Sequence, residues 1–123
     1  MVGAGFVAKF QAVALAQVRG IELVGVHAPR PDALVAFARE TGIGECAAYP
    51  DVEQLCQHCN VVGIAGPNFT RVDVAGEIAD AVKKGAELKG VICEKPLART
   101  VAEAREMVRL VRAAGLKTAY FEN

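Results

Sequence analysis

Apolar residues arrive along this chain in two alternating patterns. Short, nearly continuous apolar runs occupy residues 21–26, 60–65 and 90–93. Runs of that length mark strands buried on both faces, as in a parallel sheet. Longer stretches with helical spacing lie between them. Val72, Ala75, Ile78, Ala79 and Val82 fall on one face of a helix expected over 70–84, and Val101, Ala104, Val108 and Val111 on one face of another. Boundary residues sharpen the picture. Gly3-Ala4-Gly5 opens a helix that runs to about Val18. Residues 27–31 form a turn, Asp32 opens a helix ending at Thr41, and Gly42 is its stop. Residues 45–48 read as a short strand. Asp51 with Gln54, and Thr100 with Glu103, have capping-box spacing at the starts of two further helices. Gly66-Pro67-Asn68 is a turn, Gly85 and Gly115 close helices, and residues 116–121 read as a last strand.

Strands separated by helices predict an α/β fold, a Rossmann-type doubly wound parallel sheet. The first strand of that sheet is central, yet only Met1 and Val2 precede the glycine turn, where a strand of about five residues is usual. The expectation is therefore a truncated first strand, from a chain clipped at its start or a start codon lying upstream.

Composition narrows the class. The chain has 123 residues, 53% of them hydrophobic, with five Phe, two Tyr and no Trp, so one aliphatic core is affordable. Fourteen basic side chains balance fourteen acidic ones, which leaves no electrostatic footprint for nucleic acid or an anionic membrane. No apolar run is long enough to span a bilayer, and no basic stretch precedes an apolar one as in a secretory signal. A cytoplasmic location is expected. The four cysteines are Cys46, Cys56, Cys59 and Cys93. Cys56 and Cys59 have the gap of a zinc knuckle or redox pair. No second ligand pair follows, though, and the pair sits at the end of a helix rather than at its start, so free thiols and no metal are expected. Cys93 lies in an apolar run and reads as a small core residue.

The chemistry concentrates at three strand ends. Gly3-Ala4-Gly5-Phe6-Val7-Ala8 has the spacing G-x-G-x-x-A. The first glycine permits a tight turn, the second admits a pyrophosphate, and the small third residue lets helix and strand pack closely. Helix N–H groups and the helix dipole then hold the anion. The same turn also occurs without a ligand and in methyltransferases. The following helix and the strand ending about twenty residues on favour a dinucleotide. The acid that usually ends the second strand is missing. His27, Ala28, Pro29 and Arg30 stand there instead. Without a carboxylate nothing repels a ribose 2′-phosphate, and Arg30 could pair with one, which favours NADP while leaving NAD possible. His27 could stack on or bond near the adenine ribose, or merely end the strand. Ala65-Gly66-Pro67-Asn68 ends another strand, where Asn68 could bond a ribose or cap the next helix. Glu94-Lys95-Pro96 follows the strand at 90–93 at the same sheet edge. A lysine there faces the crevice where a nicotinamide lies. It can bond a substrate hydroxyl and help its proton leave, while Glu94 holds the lysine or a ribose and Pro96 stiffens the loop. A surface ion pair opening a loop has the same sequence appearance.

The glycine turn, Pro67-Asn68, Glu94-Lys95-Pro96 and the tail Tyr120-Phe121-Glu122-Asn123, in this order and spacing, resemble the Gfo/Idh/MocA oxidoreductases over essentially the whole chain. The resemblance implies an NAD(P)-dependent enzyme moving hydride between a nicotinamide and a hydroxyl or carbonyl carbon, commonly of a sugar or cyclitol. Lys95 matches the family's active-site lysine. It further implies that residues 1–119 are the nucleotide-binding domain. Residues 120–123 then begin the connection to a C-terminal α/β domain that supplies most of the small-molecule substrate pocket, a catalytic histidine and the homo-oligomer interface. This chain alone is not expected to turn over substrate. Arg71 stands where the family commonly has a histidine, which could alter the loop beside the cofactor or place another base there. Two other readings differ in class: a module that binds NAD(P) without chemistry, and a fold binding S-adenosylmethionine. The missing strand-end acid and the presence of Glu94-Lys95-Pro96 argue against the latter.

Overall fold

The computed structural model describes residues 1–42 and 46–122. The order of elements is α1 (Phe6–Leu15), β1 (Gly25–Val26), α2 (Pro31–Thr41), β2 (Ala47–Ala48), α3 (Val52–Gln57), β3 (Val61–Ile64), a 3₁₀ turn (Asn68–Thr70), α4 (Arg71–Lys83), β4 (Gly90–Cys93), α5 (Val101–Ala113) and β5 (Lys117–Tyr120). All strand pairs are parallel. β1 pairs with β2, and β3, β4 and β5 lie side by side.

Met1–Gly3 joins the two groups of strands. On one side His27 N donates to Met1 O at 2.9 Å and Gly3 N to His27 O at 2.8 Å. On the other, Val2 N donates to Gly63 O at 2.8 Å and Ala65 N to Val2 O at 2.9 Å. Val2 thus bridges in parallel to both His27 and Ile64. The spatial order is β2, β1, Val2, β3, β4, β5, that of the doubly wound nucleotide-binding sheet. Two buried clusters match the two helix layers. Ala8 and Ala12 of α1 and Phe37 of α2 pack with Met1 and Val26. Leu55, Ile78 and Met107, from α3, α4 and α5, pack with Val62, Ile64 and Val91.

The expected helices are present, and Gly42, Gly85 and Gly115 stop theirs with φ of 66°, 102° and 70°. Asp51 accepts from Gln54 N at 2.7 Å and Thr100 from Glu103 N at 3.2 Å. Several expectations need correction. The first helix ends at Leu15 rather than Val18. Of residues 21–26 only Gly25 and Val26 form a strand, and Ile21 is half exposed. Gly25 is the first of these to meet the central segment, through Met1 N at 2.8 Å. The buried stripe of α5 is centred on Met107 and Val111, leaving Val101 and Val108 exposed. The last strand runs over Lys117–Tyr120 rather than 116–121, at the end of the β3-β4-β5 group, and is exposed at all four positions. Of the strand expected at 45–48, Ala47 and Ala48 pair with β1, and Glu45 lies outside the described residues.

Two glycines are required by close approach. A Cβ on Gly25 would lie 2.3 Å from the Tyr49 ring. Gly3 has φ +107°, and a Cβ there would lie 2.7 Å from Gly66 N and 2.9 Å from Ala65 C. Both neighbours of Gly3 are backbone and cannot swing aside. Gly3→Ala is therefore expected to cost roughly 2–4 kcal/mol, adding left-handed strain to overpacking, as a urea unfolding comparison will show.

The cysteines are free, with Cys56 and Cys93 buried. Burial pushes all four thiols above their ordinary range, Cys56 from 9.0 to about 12. At pH 8 the Cys56 thiol should react with a disulfide reagent at least roughly a thousandfold more slowly folded than unfolded, because its thiolate is scarcer and the side chain is fully buried. A group that holds its proton more tightly when folded stabilises the fold below its unfolded pKa. That stability should fade as pH rises from 9 toward 12, visible as a falling urea midpoint.

Candidate active site

The site is assembled at the carboxyl ends of the central segment, β1, β3 and β4. Gly5 is the N-cap of α1, with extended backbone and no side-chain cap. Lys9 N makes the first helical bond, to Gly5 O at 3.0 Å, so the N–H groups of Phe6, Val7 and Ala8 have no intrahelical acceptor. No acidic residue lies in that first turn, and no atom lies within 4 Å of the Cβ position at Gly5. Phe6 is 84% exposed and Val7 partly buried. Free donors, the positive end of a helix dipole and open approach over a glycine fit a pyrophosphate. Gly3 keeps this turn in contact with Ala65 and Gly66.

The Gly66 turn and the Glu94–Pro96 loop are held together by Arg71. This residue is only 4% exposed. Its Nε donates to Gly66 O at 3.1 Å, its Nη1 donates to both Glu94 O and Pro96 O, and its Nη2 reaches Lys95 O at 3.4 Å. Arg71 is thus no base beside a cofactor, because its guanidinium is spent on backbone carbonyls. The Lys95–Pro96 peptide is cis. Glu94 continues the ladder, its N–H donating to Ile64 O at 3.0 Å.

The Glu94 carboxylate does not hold the Lys95 ammonium. One oxygen accepts from Gln11 Nε2 of α1, and the other from Lys95 N at 3.1 Å. Lys95 and Pro96 are exposed, and among the described residues the Lys95 ammonium joins no ion pair. Asn68 does not cap α4. It opens the 3₁₀ turn, and the α4 N-cap is Thr70, whose hydroxyl bonds back to Pro67 O at 2.8 Å. The Asn68 side chain is therefore not committed to the helix.

At the far side of the glycine turn, His27 Nδ1 lies 3.0 Å from Tyr49 O. A carbonyl only accepts, so Nδ1 carries the proton and the ring braces the chain after β2. Arg30 caps α2 through its backbone, with Pro31 and Asp32 in the first turn. Its guanidinium is 3.5 Å from Asp32, and both side chains are more than 70% exposed.

The structure therefore draws Gly3, Gly5, Ala65, Gly66, Glu94, Lys95 and Pro96 into one connected cluster, while His27 and Arg30 stand at its β1 side. Sequence reasoning missed Gln11 as a ligand of Glu94 and gave Arg71 no structural task. A signal for Arg71 existed, since it falls on the buried stripe with Ala75 and Ile78. No metal-binding cluster occurs among the described residues, and no helix there is long and apolar enough to cross a membrane. A polar hollow lined by Gln57, His58, Cys59 and Asn60 lies at the opposite end of β3, away from these loops.

The chain matches the family described as "Oxidoreductase family, NAD-binding Rossmann fold" over residues 1–121. It is 31% identical over 116 residues to a 1,5-anhydro-D-fructose reductase of Ensifer adhaerens, covering 94% of this chain and 33% of that protein. It is 30% identical over 107 residues to a glucose-6-phosphate 3-dehydrogenase of Bacillus subtilis, covering 87% and 28%. The chain thus spans about a third of the length of these relatives. An oxidoreductase from Agrobacterium radiobacter, solved in complex with NAD⁺, L-tartaric acid and magnesium, shares the fold with a TM-score of 0.82 at 24% identity, over 98% of this chain and 34% of that one. With its strand order, glycine turn and this match over nearly every residue, the chain belongs to the Gfo/Idh/MocA oxidoreductase family and forms its NAD-binding Rossmann fold.

Proposed function

We propose that residues 1–119 are the NADP-preferring domain of an oxidoreductase. The enzyme would move hydride between a nicotinamide and a hydroxyl or carbonyl carbon of a sugar, cyclitol or related small molecule. Residues 120–123 would lead into a second domain that completes the substrate pocket and a homo-oligomer interface. The names of the two curated relatives, a reductase and a dehydrogenase of sugars, support the substrate class. The balanced charge supports a small-molecule partner rather than nucleic acid or a membrane surface.

The observation that carries this reading is the convergence of three strand-end loops, tied by the Gly3–Gly66 contact and the Arg71 bonds. In it Gly3, Gly5, Phe6 and Val7 would receive the pyrophosphate, and His27 and Arg30 the adenine ribose. Ala65, Gly66, Pro67 and Asn68 would line the nicotinamide ribose, with Glu94 and Pro96 shaping the loop that presents Lys95. The bound dinucleotide supplies the hydride chemistry. Lys95 would be the catalytic residue, bonding the substrate oxygen and taking or returning its proton. Its side-chain nitrogen is free to engage the substrate oxygen because the Glu94 carboxylate accepts from Gln11 and from the Lys95 backbone N–H instead.

Two substitutions test the assignment. Arg30→Ala should weaken NADPH by about 1–3 kcal/mol and leave NADH nearly unchanged in a fluorescence titration. Equal losses for both would remove the phosphate-reading role. In a full-length enzyme that carries the second domain, Lys95→Ala should lower turnover by at least ~100-fold with little change in cofactor affinity. Retained turnover would remove Lys95 from the mechanism and favour a module that binds the dinucleotide without chemistry.

A further inference from the structure

We infer that Arg71 is the positioning residue of this site, a buried planar fork that holds the Glu94–Pro96 loop, and with it Lys95, in register with the Gly66 turn. The inference rests on the dinucleotide reading above and adds a residue to which that reading assigned no role.

A guanidinium leaves water at high cost unless its donors are met. Arg71 is 4% exposed, and its N–H groups go to the carbonyls of Gly66, Glu94, Lys95 and Pro96 rather than to a carboxylate. No buried side-chain nitrogen or oxygen among the described residues lacks a partner. The acceptors belong to two segments far apart in sequence, one ending β3 and one ending β4. Three come from consecutive residues, so the loop cannot turn over without breaking several bonds to one rigid plane. Arg71 itself opens α4, a helix seated in the core through Val74, Ala75 and Ile78. The loop is thereby referenced to the core rather than to solvent. This matters because Lys95 is exposed, and no ion pair among the described residues fixes its ammonium. Its direction is set by its backbone, and its backbone by Arg71 and by Glu94 accepting from Lys95 N. Preorganisation of this kind comes from support behind the reacting group. A lysine in place of Arg71 would keep the charge but lose the fork, and could not reach carbonyls on both segments together.

The clamp lies at the nicotinamide end of the proposed site, not at the adenosine end. In the intact protein, Arg71→Gln should therefore weaken NADPH at least tenfold and leave adenosine 2′-phosphate 5′-diphosphate, which ends at the pyrophosphate and lacks the nicotinamide and its ribose, within twofold. Arg71→Lys should not restore NADPH binding, and serves as the second variant if Arg71→Gln fails to fold. Hydrogen exchange read by mass spectrometry on a peptide spanning 93–98 should quicken at least tenfold in either variant, while peptides from β3 and α4 keep their protection. Equal losses for both nucleotides, full rescue by lysine, or unchanged exchange at 93–98 would each overturn the clamp. Should the unmodified protein bind neither nucleotide, the dinucleotide reading fails, and the exchange result still decides whether Arg71 holds the loop.

Discussion

Everything in this molecule hangs on the segment Met1-Val2-Gly3. β1 and β2 on one side and β3, β4 and β5 on the other share no direct pairing. They become one sheet because Met1, Val2 and Gly3 exchange four backbone bonds with His27, Gly63 and Ala65, all between 2.8 and 2.9 Å. The two helix layers meet at the same place, since Met1 belongs to one buried cluster and Val2 to the other. A crevice at a topological switch point exists only where strands on both sides of the reversal are held in register. Gly3 does the holding and the bending together. Its N–H bonds to His27 O, its left-handed φ turns the chain into α1, and its missing side chain lets the turn touch Ala65 and Gly66.

Most of the architecture was legible because it rests on local rules. Residues 90–93 are a strand in both readings, since their apolar run is short and bounded by glycine on one side and charge on the other. α2 and α4 stop at the expected glycines because a left-handed residue is needed there whatever the tertiary context. The misplaced details are those that only neighbours decide. Residues 21–24 have strand composition, but pairing on the central side begins at Gly25. Val101 and Val108 carry helical spacing with Val111, but α5 presents Met107 to the core instead.

The site was legible in its backbone and less so in its side chains. Gly3, Gly5, Gly66 and Glu94–Pro96 stand out in sequence because the geometry they serve demands those residue types at those spacings. Gln11 and Arg71 do not. Gln11 meets Glu94 across 83 positions of sequence. Arg71 meets its acceptors across 23 to 25 positions on the β4 side and 5 on the β3 side. A polar residue whose partners are backbone carbonyls leaves no complementary charge to search for. Only its position on a buried stripe distinguishes it from a surface arginine such as Arg105 or Arg109, and burial is a fact of packing.

The same contrast separates the two ends of the site. At the proposed pyrophosphate and nicotinamide ends the donors and acceptors are backbone groups, or side chains anchored on backbone, such as Arg71 on the carbonyls of Gly66 and Glu94–Pro96. On the proposed reading, recognition at the adenosine end would fall to Arg30, which is exposed and 3.5 Å from the equally exposed Asp32. Such a pair contributes little on its own, so a ribose 2′-phosphate can draw Arg30 away from Asp32 at small cost and gain a bidentate partner. On that reading, cofactor preference would depend on the balance between one cation and one anion on a solvated loop. The fold is set by buried contacts, which is why the family is plain in this chain, while the proposed choice of phosphate would turn on an exposed pair that the fold does not fix.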